Sequence, residues 1–511
     1  MPKLVGPASF TPANKSAMWY DLVVIGGGIN GCGCAADAAM RGLSVLLCEQ
    51  HDLASETSSK SSKLIHGGLR YLEQYQFKLV RHALKEQAVL MHLAPHLIHP
   101  LGLVLPFHIE RRPSWLLRSG LFLYDHLSRS RLLPKSRALS RKNTPNYFTT
   151  LRRNIRTGFL FYDAQSHDAR LTITVALQAK AHGATILTRT QFLNATPEAG
   201  HWRVALKTQD GEILHIQAKA LINAAGVHVQ EVAQQCQTPL DQRLSFVKGS
   251  HLLVPNFYPG KHAYLLQTSD QRIVFVMPYF GQTLIGTTDV LVSKPDVQPT
   301  ITTAEIDYLK NTVHDYFRHS ITSINATWSG IRVLPANEMQ SPAQLSRDFS
   351  FESHLQPAPL VSVLSGKITT YRRLAEHIVN SLTPVFPNLP SSTTDALALP
   401  GGDWEKGSFQ AYQNYAQTHY VWLKSNILQH YLSHYGTRTE QLLADCHHMQ
   451  DLGKAFGPIL HQREVDFLCE TEWAKTADDI LWRRTQLGLS LIATEQEALT
   501  HYMSQKELQR T

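Results

Sequence analysis

The stretch DLVVIGGGINGCGCAADAAMRGLSVLLCEQ, residues 21–50, decides how the rest of the chain is interpreted. Leu22 to Ile25 form a short apolar run of the kind found in a buried parallel strand. Small residues compatible with a helix follow, and a second apolar run from 43 to 48 is closed by Glu49. The pattern predicts a strand, a glycine turn, a helix, a second strand and an acid at its end.

The turn carries three glycines, Gly26, Gly28 and Gly31, with the G-x-G-x-x-G spacing of a dinucleotide-binding fold. The first glycine makes a tight turn, the second lets the backbone approach a pyrophosphate, and the third lets helix and strand pack closely. The helix N-terminus offers free N–H groups to the pyrophosphate, and Glu49 can accept hydrogen bonds from a ribose diol. The motif does not distinguish FAD from NAD.

Length and composition limit the class of protein. The chain has 511 residues, enough for two or three domains, and its apolar content of 43% is ordinary for a soluble globular protein. No apolar run approaches the ~20 residues of a membrane-spanning helix. Residues 1–19 are interrupted by prolines, and we expect a flexible leader rather than a secretory signal. The six cysteines include no C-x-x-C pair, which favours a reducing compartment without disulfides.

The charge balance favours anionic partners. The formal net charge is +8 and the sequence pI is near 9.0, which suits phosphorylated substrates, anionic lipid or nucleic acid. A flavoprotein that binds RNA is one alternative, but it depends on the charge alone. The sequence has no RNA-binding signature and no interleaving of aromatic and basic residues, so we expect no nucleic-acid partner.

Two further stretches before residue 72 suggest ligand contacts. Residues 55–62 are rich in hydroxyls and lead into a helix N-terminus, an arrangement that favours anions, although a plain polar loop has the same composition. His66 then precedes Gly67 and Gly68, and glycines there permit close approach of the backbone to a flat ligand. Taken alone, His66 is more typical of a structural histidine than of a catalyst.

The run GGGINGCGCAADAAMRGLSVLLCEQHDLASETSSKSSKLIHGGLRYLE resembles the FAD-dependent glycerol-3-phosphate dehydrogenases, especially the aerobic, membrane-associated bacterial enzymes. Later segments that are similar to this family include VKGSHLLVP, RIVFVMPY, IGTTD, SGIRVLP, SGKITTYRRLAEH and DDILWRRTQLGL. The resemblance covers most of the chain. It departs from the usual family pattern at Ser365, where glycine is usual, and at Val333, where proline is usual.

The resemblance implies an α/β fold: a Rossmann-type FAD-binding domain of the D-amino-acid-oxidase-like class, an antiparallel-sheet substrate domain and a helical C-terminal domain. We expect the FAD-binding and interleaved substrate-binding domains at 20–383. Prolines and a Ser-Ser-Thr-Thr run predict a linker at 384–402. Apolar and charged residues at helical spacing predict a helical domain at 403–511.

The resemblance also implies which residues hold FAD. The expected cofactor-binding residues lie in the first strand–turn–helix unit, in the hydroxyl-rich loop, in the glycine pair after His66 and at two later strand ends; they are Gly26, Gly28, Asn30, Gly31, Glu49, Ser58, Ser59, Gly67, Gly68, Gly226, Gly366 and Thr369. No metal site is expected, and no covalent attachment of FAD is implied.

The implied reaction takes sn-glycerol 3-phosphate to dihydroxyacetone phosphate, with FAD reduced and the electrons passed to ubiquinone or another membrane quinone. A dianionic phosphate calls for several cations. The residues carried over from the family motifs as substrate-binding are Arg70, Tyr71, Arg272, Arg332 and Lys367, the last two also grouped with the catalytic residues. His251 is the preferred proton acceptor because imidazole titrates near working pH, and His66 is the second choice.

A sister oxidase that passes electrons to oxygen is the alternative within the same fold, and the sequence discriminates poorly between the two. The oligomeric state also stays open, with a homodimer possible.

A membrane contact is expected from the stretch Trp115 to Leu133, where aromatic and aliphatic residues alternate with arginines. Such a stretch suits a helix lying in an anionic lipid interface, although a core-packing amphipathic helix has the same pattern. Because the family is peripheral and reduces a lipid-soluble quinone, we expect a cytoplasmic protein attached to the cytoplasmic face of the inner membrane. The lipid-facing stripe is predicted to include Leu117, Leu121 and Tyr124.

Overall fold

The computed structural model describes residues 18–72, 75–107, 114–128, 132–270, 272–294, 298–336, 348–404 and 407–508. The strands are β1 (Met18–Ile25), β2 (Val45–Cys48), β3 (Leu64–Ile65), β4 (Ile98–Pro106), β5 (Arg137–Ser140), β6 (Thr157–Ser166), β7 (Thr185–Leu187), β8 (Gln191–Glu198), β9 (His201–Lys207), β10 (Ile213–Asn223), β11 (Leu244–Pro255), β12 (Ala263–Gln267), β13 (Ile273–Tyr279), β14 (Gln282–Gly286), β15 (Val290–Val292), β16 (Ala326–Pro335), β17 (Ser350–His354) and β18 (Leu360–Ser365).

The α-helices are α1 (Ile29–Met40), α2 (Phe77–Leu93), α3 (Ser114–Ser128), α4 (Asp168–Ala181), α5 (Val229–Gln235), α6 (Thr303–Tyr316), α7 (Tyr371–Ser381), α8 (Phe409–His419), α9 (Ser425–Tyr435), α10 (Thr439–Leu442), α11 (Gln462–Thr471) and α12 (Ala493–Leu508). A π-helical turn spans Asp479–Arg484.

The first sheet is built around β1, which pairs in parallel with β10 on one side and β2 on the other. β7 extends the sheet beyond β2, and β18 extends it beyond β10, again in parallel. All four residues of β2 are buried, as expected for a parallel strand covered on both faces. The strand, glycine turn, helix and strand predicted for residues 21–50 are confirmed.

Small side chains let α1 lie close to its neighbours. Cys32, Cys34, Ala35 and Ala38 are fully buried in the core that α1 shares with the first sheet. A Cβ atom at Gly33 would lie 2.8 Å from the ring of Tyr371 in α7, so even an alanine would push the two helices apart. The cysteines of α1 therefore serve as small apolar residues, and the six cysteines of the chain are all free and buried.

The second sheet is mostly antiparallel. β11 pairs with β14, β15 and β16, β12 pairs with β13, and β4 pairs with β6, all antiparallel. The pairing of β12 with β4 is parallel. The predicted antiparallel substrate sheet is confirmed, and it faces the first sheet across the cavity described below.

The C-terminal helices α8 to α12 enclose an apolar core of their own, which includes Tyr431, Leu468 and Ile480. Buried ion pairs join this region to the rest of the chain: Arg170 of α4 with Glu472, and Asp52 with Arg484. The helical C-terminal domain is confirmed. The predicted linker at 384–402 includes residues packed into the protein, Phe386 and Leu399 among them. Its exact boundaries stay a prediction.

The first nineteen residues need one correction. Met18 and Trp19 belong to β1, where they pair with Ile216 and Gln217 of β10. The part of the predicted leader that precedes them lies outside the described residues.

Helix α3 corrects the predicted lipid-facing stripe. Leu117, Leu121 and Tyr124 are buried in the apolar core beneath the second sheet. The Tyr124 hydroxyl donates a 2.6 Å hydrogen bond to the Asp163 carboxylate. This face of α3 is core because α2 and the strands around β6 cover it, which amphipathic spacing alone does not disclose. Among the side chains of α3 that the structure describes, Trp115 and Phe122 are large, apolar and exposed to solvent, at 68% and 63%.

Candidate active site

A cavity of about 470 Å³ runs between the two sheets. One end is lined by the β1–α1 turn and the end of β2. The other end is lined by the loop before β3, by strands of the second sheet and by the β18–α7 turn. The cavity therefore joins the predicted nucleotide-binding turn to the region predicted to bind the substrate.

The glycine turn at the first end depends on close backbone contacts. Gly26 has φ +110°, and a Cβ atom at Gly31 would lie 2.0 Å from the Gly26 carbonyl oxygen. Neither position accepts a side chain without moving the turn. Gly31 is not among the residues that line the cavity, so its predicted contact with the cofactor is corrected to packing within the turn. Gly28 lines the cavity, where its missing side chain leaves the start of α1 accessible.

Ser58 and Ser59 occupy different places. The Ile29 N–H donates to the Ser58 hydroxyl at 2.9 Å, so Ser58 stands at the N-terminus of α1 and lines the cavity. Ser59 is not among the residues that line the cavity, and its hydroxyl donates to the Glu56 carbonyl oxygen at 3.1 Å. The prediction that both serines contact the cofactor is therefore corrected for Ser59, because the short helical turn directs its side chain back along the loop.

Glu49 ends β2 beside the turn. Its carboxylate accepts hydrogen bonds from the Gly27 and His51 N–H groups, each at 2.7 Å. Burial raises the pKa of Glu49, while the two backbone donors act in the opposite direction. The carboxylate both fixes the turn and lines the cavity, as a ribose ligand requires.

Glycines and small polar groups continue along the cavity. Gly68 and Gly226, with φ +76° and +57°, line it together with Gly366 and Thr369. Asn30 also lines it, and its Oδ1 atom is buried without a hydrogen-bond partner among the described residues. A buried oxygen atom without a partner is suited to accept a hydrogen bond from a ligand.

Gly67 requires a correction. It is not among the cavity-lining residues; its N–H donates to the Tyr124 hydroxyl at 2.9 Å, and a Cβ atom there would lie 2.6 Å from Leu84. The glycine is needed for packing against α2 and α3 rather than for direct approach to a ligand.

Two of the predicted cations, Lys367 and Arg332, line the cavity. Lys367 Nζ lies 3.3 Å from the Tyr71 hydroxyl and 4.4 Å from the centre of its ring. Arg332 Nη2 lies 3.0 Å from Asp289 Oδ1, and the arginine side chain is partly open to the cavity. The cavity therefore offers two cations and a phenol to an anionic group.

Arg272 lies beside the cavity without lining it. Arg272 is absent from the cavity lining: its guanidinium binds Asp270, with Nε 2.7 Å from Oδ2, and stacks on Tyr308. Its Nη1 also donates to the carbonyl oxygen of the cavity-lining Asp289 at 3.1 Å. The prediction for Arg272 is corrected, because the acid two residues before it captures the side chain. The side chain of Arg70 lies outside the described residues.

His251 lines the cavity and is buried. Its Nε2 atom lies 3.0 Å from the Ser62 hydroxyl, and its ring stacks on Trp328. Burial, followed by the charges of Lys63 and Arg332, lowers the pKa of His251 to about 3, although Asp289 acts in the opposite direction. The imidazole is therefore neutral at working pH, the state that can accept a proton. The lowered pKa contradicts the expectation that the ring titrates near working pH, and it makes the ring a weaker base than free imidazole.

His66 lies in the same part of the cavity. Its N–H donates to the Thr369 hydroxyl at 3.3 Å, and its ring centre is 6.1 Å from that of Phe275. The structure thus brings both candidate bases together with Arg332, Lys367 and Tyr71.

Sequence reasoning missed Ser62, Asp289 and Lys60, which all line the cavity. Ser62 and Lys60 are in the hydroxyl-rich loop, but composition does not tell which hydroxyls face inward. Asp289 lies between β14 and β15 within IGTTD, and it comes close to Arg332 because β15 and β16 both pair with β11.

The site fits a dinucleotide laid along the cavity. Gly28, Gly68, Gly226 and Gly366 present backbone rather than side chains to it, the N-terminus of α1 opens into it, and Asn30 offers an unsatisfied acceptor. Gly28, Ser58 and Glu49 would hold the nucleotide end, and Gly366 and Thr369 the opposite end.

Residues 21–372 match the family model described as FAD dependent oxidoreductase. The chain therefore belongs to this family, and the predicted cofactor, FAD, is confirmed. Residues 392–505 match a second model, the C-terminal domain of alpha-glycerophosphate oxidase.

Three comparisons refine this class. The chain is 44% identical to a glycerol-3-phosphate dehydrogenase from Pseudomonas aeruginosa, over 98% of both chains. It is 42% identical to a D-erythritol 1-phosphate dehydrogenase from Brucella abortus, over 96% of this chain and 98% of the relative. The solved glycerol-3-phosphate dehydrogenase from Bacillus halodurans, complexed with FAD, matches with a TM-score of 0.78 and 26% identity, over 96% of this chain and 90% of that one. The resemblance to FAD-dependent glycerol-3-phosphate dehydrogenases is confirmed.

Proposed function

We propose that this chain oxidises sn-glycerol 3-phosphate to dihydroxyacetone phosphate, with FAD as hydride acceptor and a membrane quinone as the next electron acceptor. One observation carries the proposal. Arg332, the Lys367–Tyr71 pair and the neutral imidazole of His251 all line one cavity, which the dinucleotide turn lines as well. The relatives named above support the choice of a polyol phosphate.

The phosphate is assigned to the cationic residues. Arg332 presents a forked donor and Lys367 a compact charge, and both suit a dianion. Asp289 holds the Arg332 guanidinium in place before the substrate arrives, at 3.0 Å. Tyr71, beside Lys367, adds a neutral hydroxyl donor. Binding the phosphate in this way fixes the distance from it to the carbon that is oxidised.

Oxidation of the substrate alcohol releases a proton and a hydride. Bound FAD supplies the two-electron acceptor for the hydride. His251 takes the hydroxyl proton, since its ring is neutral and lines the cavity beside the phosphate-binding side chains. His66 is the alternative base. Burial of this end between the two sheets keeps bulk water away from the reacting atoms.

The substrate is tested by anaerobic stopped-flow reduction of the flavin. We expect glycerol 3-phosphate to give a higher second-order rate constant than D-erythritol 1-phosphate, and glycerol to give almost no reduction because it lacks the phosphate. Faster reduction by the erythritol phosphate would reassign the substrate while leaving the class of reaction intact.

The electron acceptor is tested separately, because the C-terminal match is named for an oxidase. We expect turnover with ubiquinone to exceed peroxide release many-fold under air. Peroxide formed in step with substrate oxidation would identify an oxidase instead.

Membrane attachment is proposed to use the exposed side of α3, on the cytoplasmic face of the inner membrane. No helix among the described residues is long and apolar enough to cross a bilayer. Trp115 and Phe122 are exposed on α3 near Arg118, and aromatic residues beside arginine suit an anionic lipid interface.

The attachment is tested with the double variant Trp115→Asp, Phe122→Asp and phosphatidylglycerol vesicles. We expect weaker sedimentation with vesicles and slower quinone reduction, with unchanged turnover of a soluble dye. Val421→Asp is the matched control, since Val421 is exposed on the C-terminal domain. Equal vesicle binding by both variants would place the contact elsewhere.

A further inference from the structure

The proposed proton acceptor, His251, contacts the hydroxyl of a second residue that lines the cavity. Its Nδ1 atom is buried and has no hydrogen-bond partner among the described residues. Its Nε2 atom lies 3.0 Å from the hydroxyl of Ser62. Both His251 and Ser62 line the cavity, so the ring nitrogen that can exchange a proton is already in contact with the hydroxyl of a second cavity-lining residue.

Asp168 anchors the two residues that flank Ser62 in the sequence. Its carboxylate accepts from the Ser61 hydroxyl at 2.8 Å and from Lys63 Nζ at 2.7 Å. Lys63 has φ +59°, and its carbonyl oxygen accepts from the Ser166 N–H at 2.9 Å. Ser62 therefore lies between two anchored residues, which limits the movement of its hydroxyl relative to His251.

The surroundings of His251 keep its ring neutral in the resting site. Lys63 and Arg332 are the cations that act on the ring, and Asp289 is the acid that opposes them. Trp328 covers one face, with ring centres 5.7 Å apart. A neutral imidazole has one N–H and one lone pair. When the lone pair is on Nε2, the Ser62 O–H donates to it, and the Ser62 oxygen keeps lone pairs for a donor in the cavity.

We propose that Ser62 relays the substrate proton to His251. This inference rests on the proposed function, because it assumes an alcohol substrate and His251 as the base. The substrate O–H bond breaks as a new O–H bond forms on Ser62 Oγ, and the original Ser62 proton passes to His251 Nε2. The substrate carbon loses its hydride, which carries both electrons to FAD, and becomes a ketone, so the substrate loses one proton from oxygen and one hydride from carbon. Ser62 ends the step as it began, as a neutral hydroxyl.

The relay is tested with the isosteric pair Ser62→Thr and Ser62→Val, which differ in the hydroxyl alone. At saturating glycerol 3-phosphate, the anaerobic rate of flavin reduction is expected to fall about 100-fold in Ser62→Val, within the range of general acid–base catalysis. Ser62→Thr should stay within about threefold of the wild type. Substrate dissociation constants and FAD content should be unchanged in both variants. Equal rates for the pair, whether both high or both low, would overturn the relay.

Two further readouts do not depend on turnover alone. The imidazole ¹⁵N signals of His251, assigned by their loss in His251→Asn, should show Nδ1–H and an acceptor Nε2 in the resting wild type. A resting Nε2–H tautomer would contradict the proposal. The solvent isotope effect on flavin reduction should also change between Ser62→Thr and Ser62→Val, whereas a loop that is merely displaced would leave it constant.

If Ser62→Val fails to fold, Ser62→Ala replaces it and makes the same comparison with Ser62→Thr. Failure of the proposed function has a different signature: the wild type itself would not be reduced by glycerol 3-phosphate. The tautomer measurement on the resting protein then still decides the hydrogen-bond direction at Ser62.

Discussion

One end of the cavity presents mainly backbone to its ligand, and the other end presents side chains. At the nucleotide end, Gly26, Gly28 and Gly31 belong to one turn of six residues. At the substrate end, His251, Arg332 and Lys367 come from three separate segments that meet only after both sheets have formed. The first end therefore depends on local sequence and tolerates almost no added volume, whereas the second depends on tertiary pairing and tolerates changes of size better than changes of charge.

The largest effect is expected at the nucleotide end. Gly31→Val should abolish FAD binding, because its first side-chain atom would lie 2.0 Å from the Gly26 carbonyl oxygen. Gly120→Ala is the control, since α3 leaves open space there, and it should keep full cofactor. Flavin absorbance per mole of purified protein measures both. Normal FAD content in Gly31→Val would show that the turn is not the cofactor site.

The next effect is expected at the substrate end and concerns rate. His251→Asn should slow flavin reduction by roughly 10²- to 10⁴-fold, the usual contribution of a general base, with FAD content unchanged. His66→Asn should have the smaller effect. Stopped-flow reduction at saturating substrate distinguishes the two histidines, and the reverse order would make His66 the base.

A smaller effect is expected for binding. Arg332→Ala should remove a charge-assisted contact worth about 1.5–3 kcal/mol, or roughly 10- to 150-fold in substrate affinity. Arg272→Ala should lose less, because Arg272 binds Asp270 outside the cavity. Substrate titration of the reduction rate checks both variants. An equal loss in the two would restore Arg272 to the site, and a loss of flavin in Arg332→Ala would show a structural role.

Glu49 is expected to show a modest effect at the nucleotide end. Glu49→Gln keeps one acceptor oxygen but loses the charge that receives the Gly27 and His51 N–H groups. FAD should bind about tenfold more weakly, as for the loss of one charge-assisted hydrogen bond of about 1.5 kcal/mol. Fluorescence titration of the apoprotein measures this affinity, and an unchanged value would remove Glu49 from the cofactor contacts.

The smallest expected effect concerns pH, because the limiting rate of flavin reduction should hardly change with it. The pKa of His251 is lowered from 6.5 to about 3, chiefly by burial, so the neutral base persists as pH falls through 6.5 and is lost only near the lowered value. The limiting rate of flavin reduction should therefore be constant between about pH 8 and about pH 5. An inflection near 6.5 would mean that the base is more open to water than His251 is here.

The contrast between the two ends of the cavity also explains which parts of the fold and of the site could be predicted from the sequence. The β1–α1 unit was predictable because strand, glycines, helix and Glu49 follow one another within residues 21–50. Arg272 was wrongly predicted to bind the substrate, because the sequence does not show that its guanidinium forms an ion pair with Asp270. Leu117, Leu121 and Tyr124 were misassigned because amphipathic spacing identifies an apolar face without identifying what covers it.

Ser62 is an example of a residue whose role the sequence could not predict. The hydroxyl-rich loop was evident, yet Ser58 faces the cavity and Ser59 does not. The distinction depends on the short helical turn at Thr57–Ser59 and on the contact of Asp168 with Ser61 and Lys63, which are far from it in sequence. Polar loops of this kind have no periodicity from which the inward side can be inferred.

The central claim is that both ends serve one reaction, the oxidation of glycerol 3-phosphate by bound FAD. The most direct measurement is an anaerobic titration of the purified holoprotein with glycerol 3-phosphate, followed by flavin absorbance. We predict bleaching of the oxidised flavin and the formation of dihydroxyacetone phosphate in equal amount. A flavin that stays oxidised at saturating glycerol 3-phosphate, while dithionite still reduces it, would contradict the account.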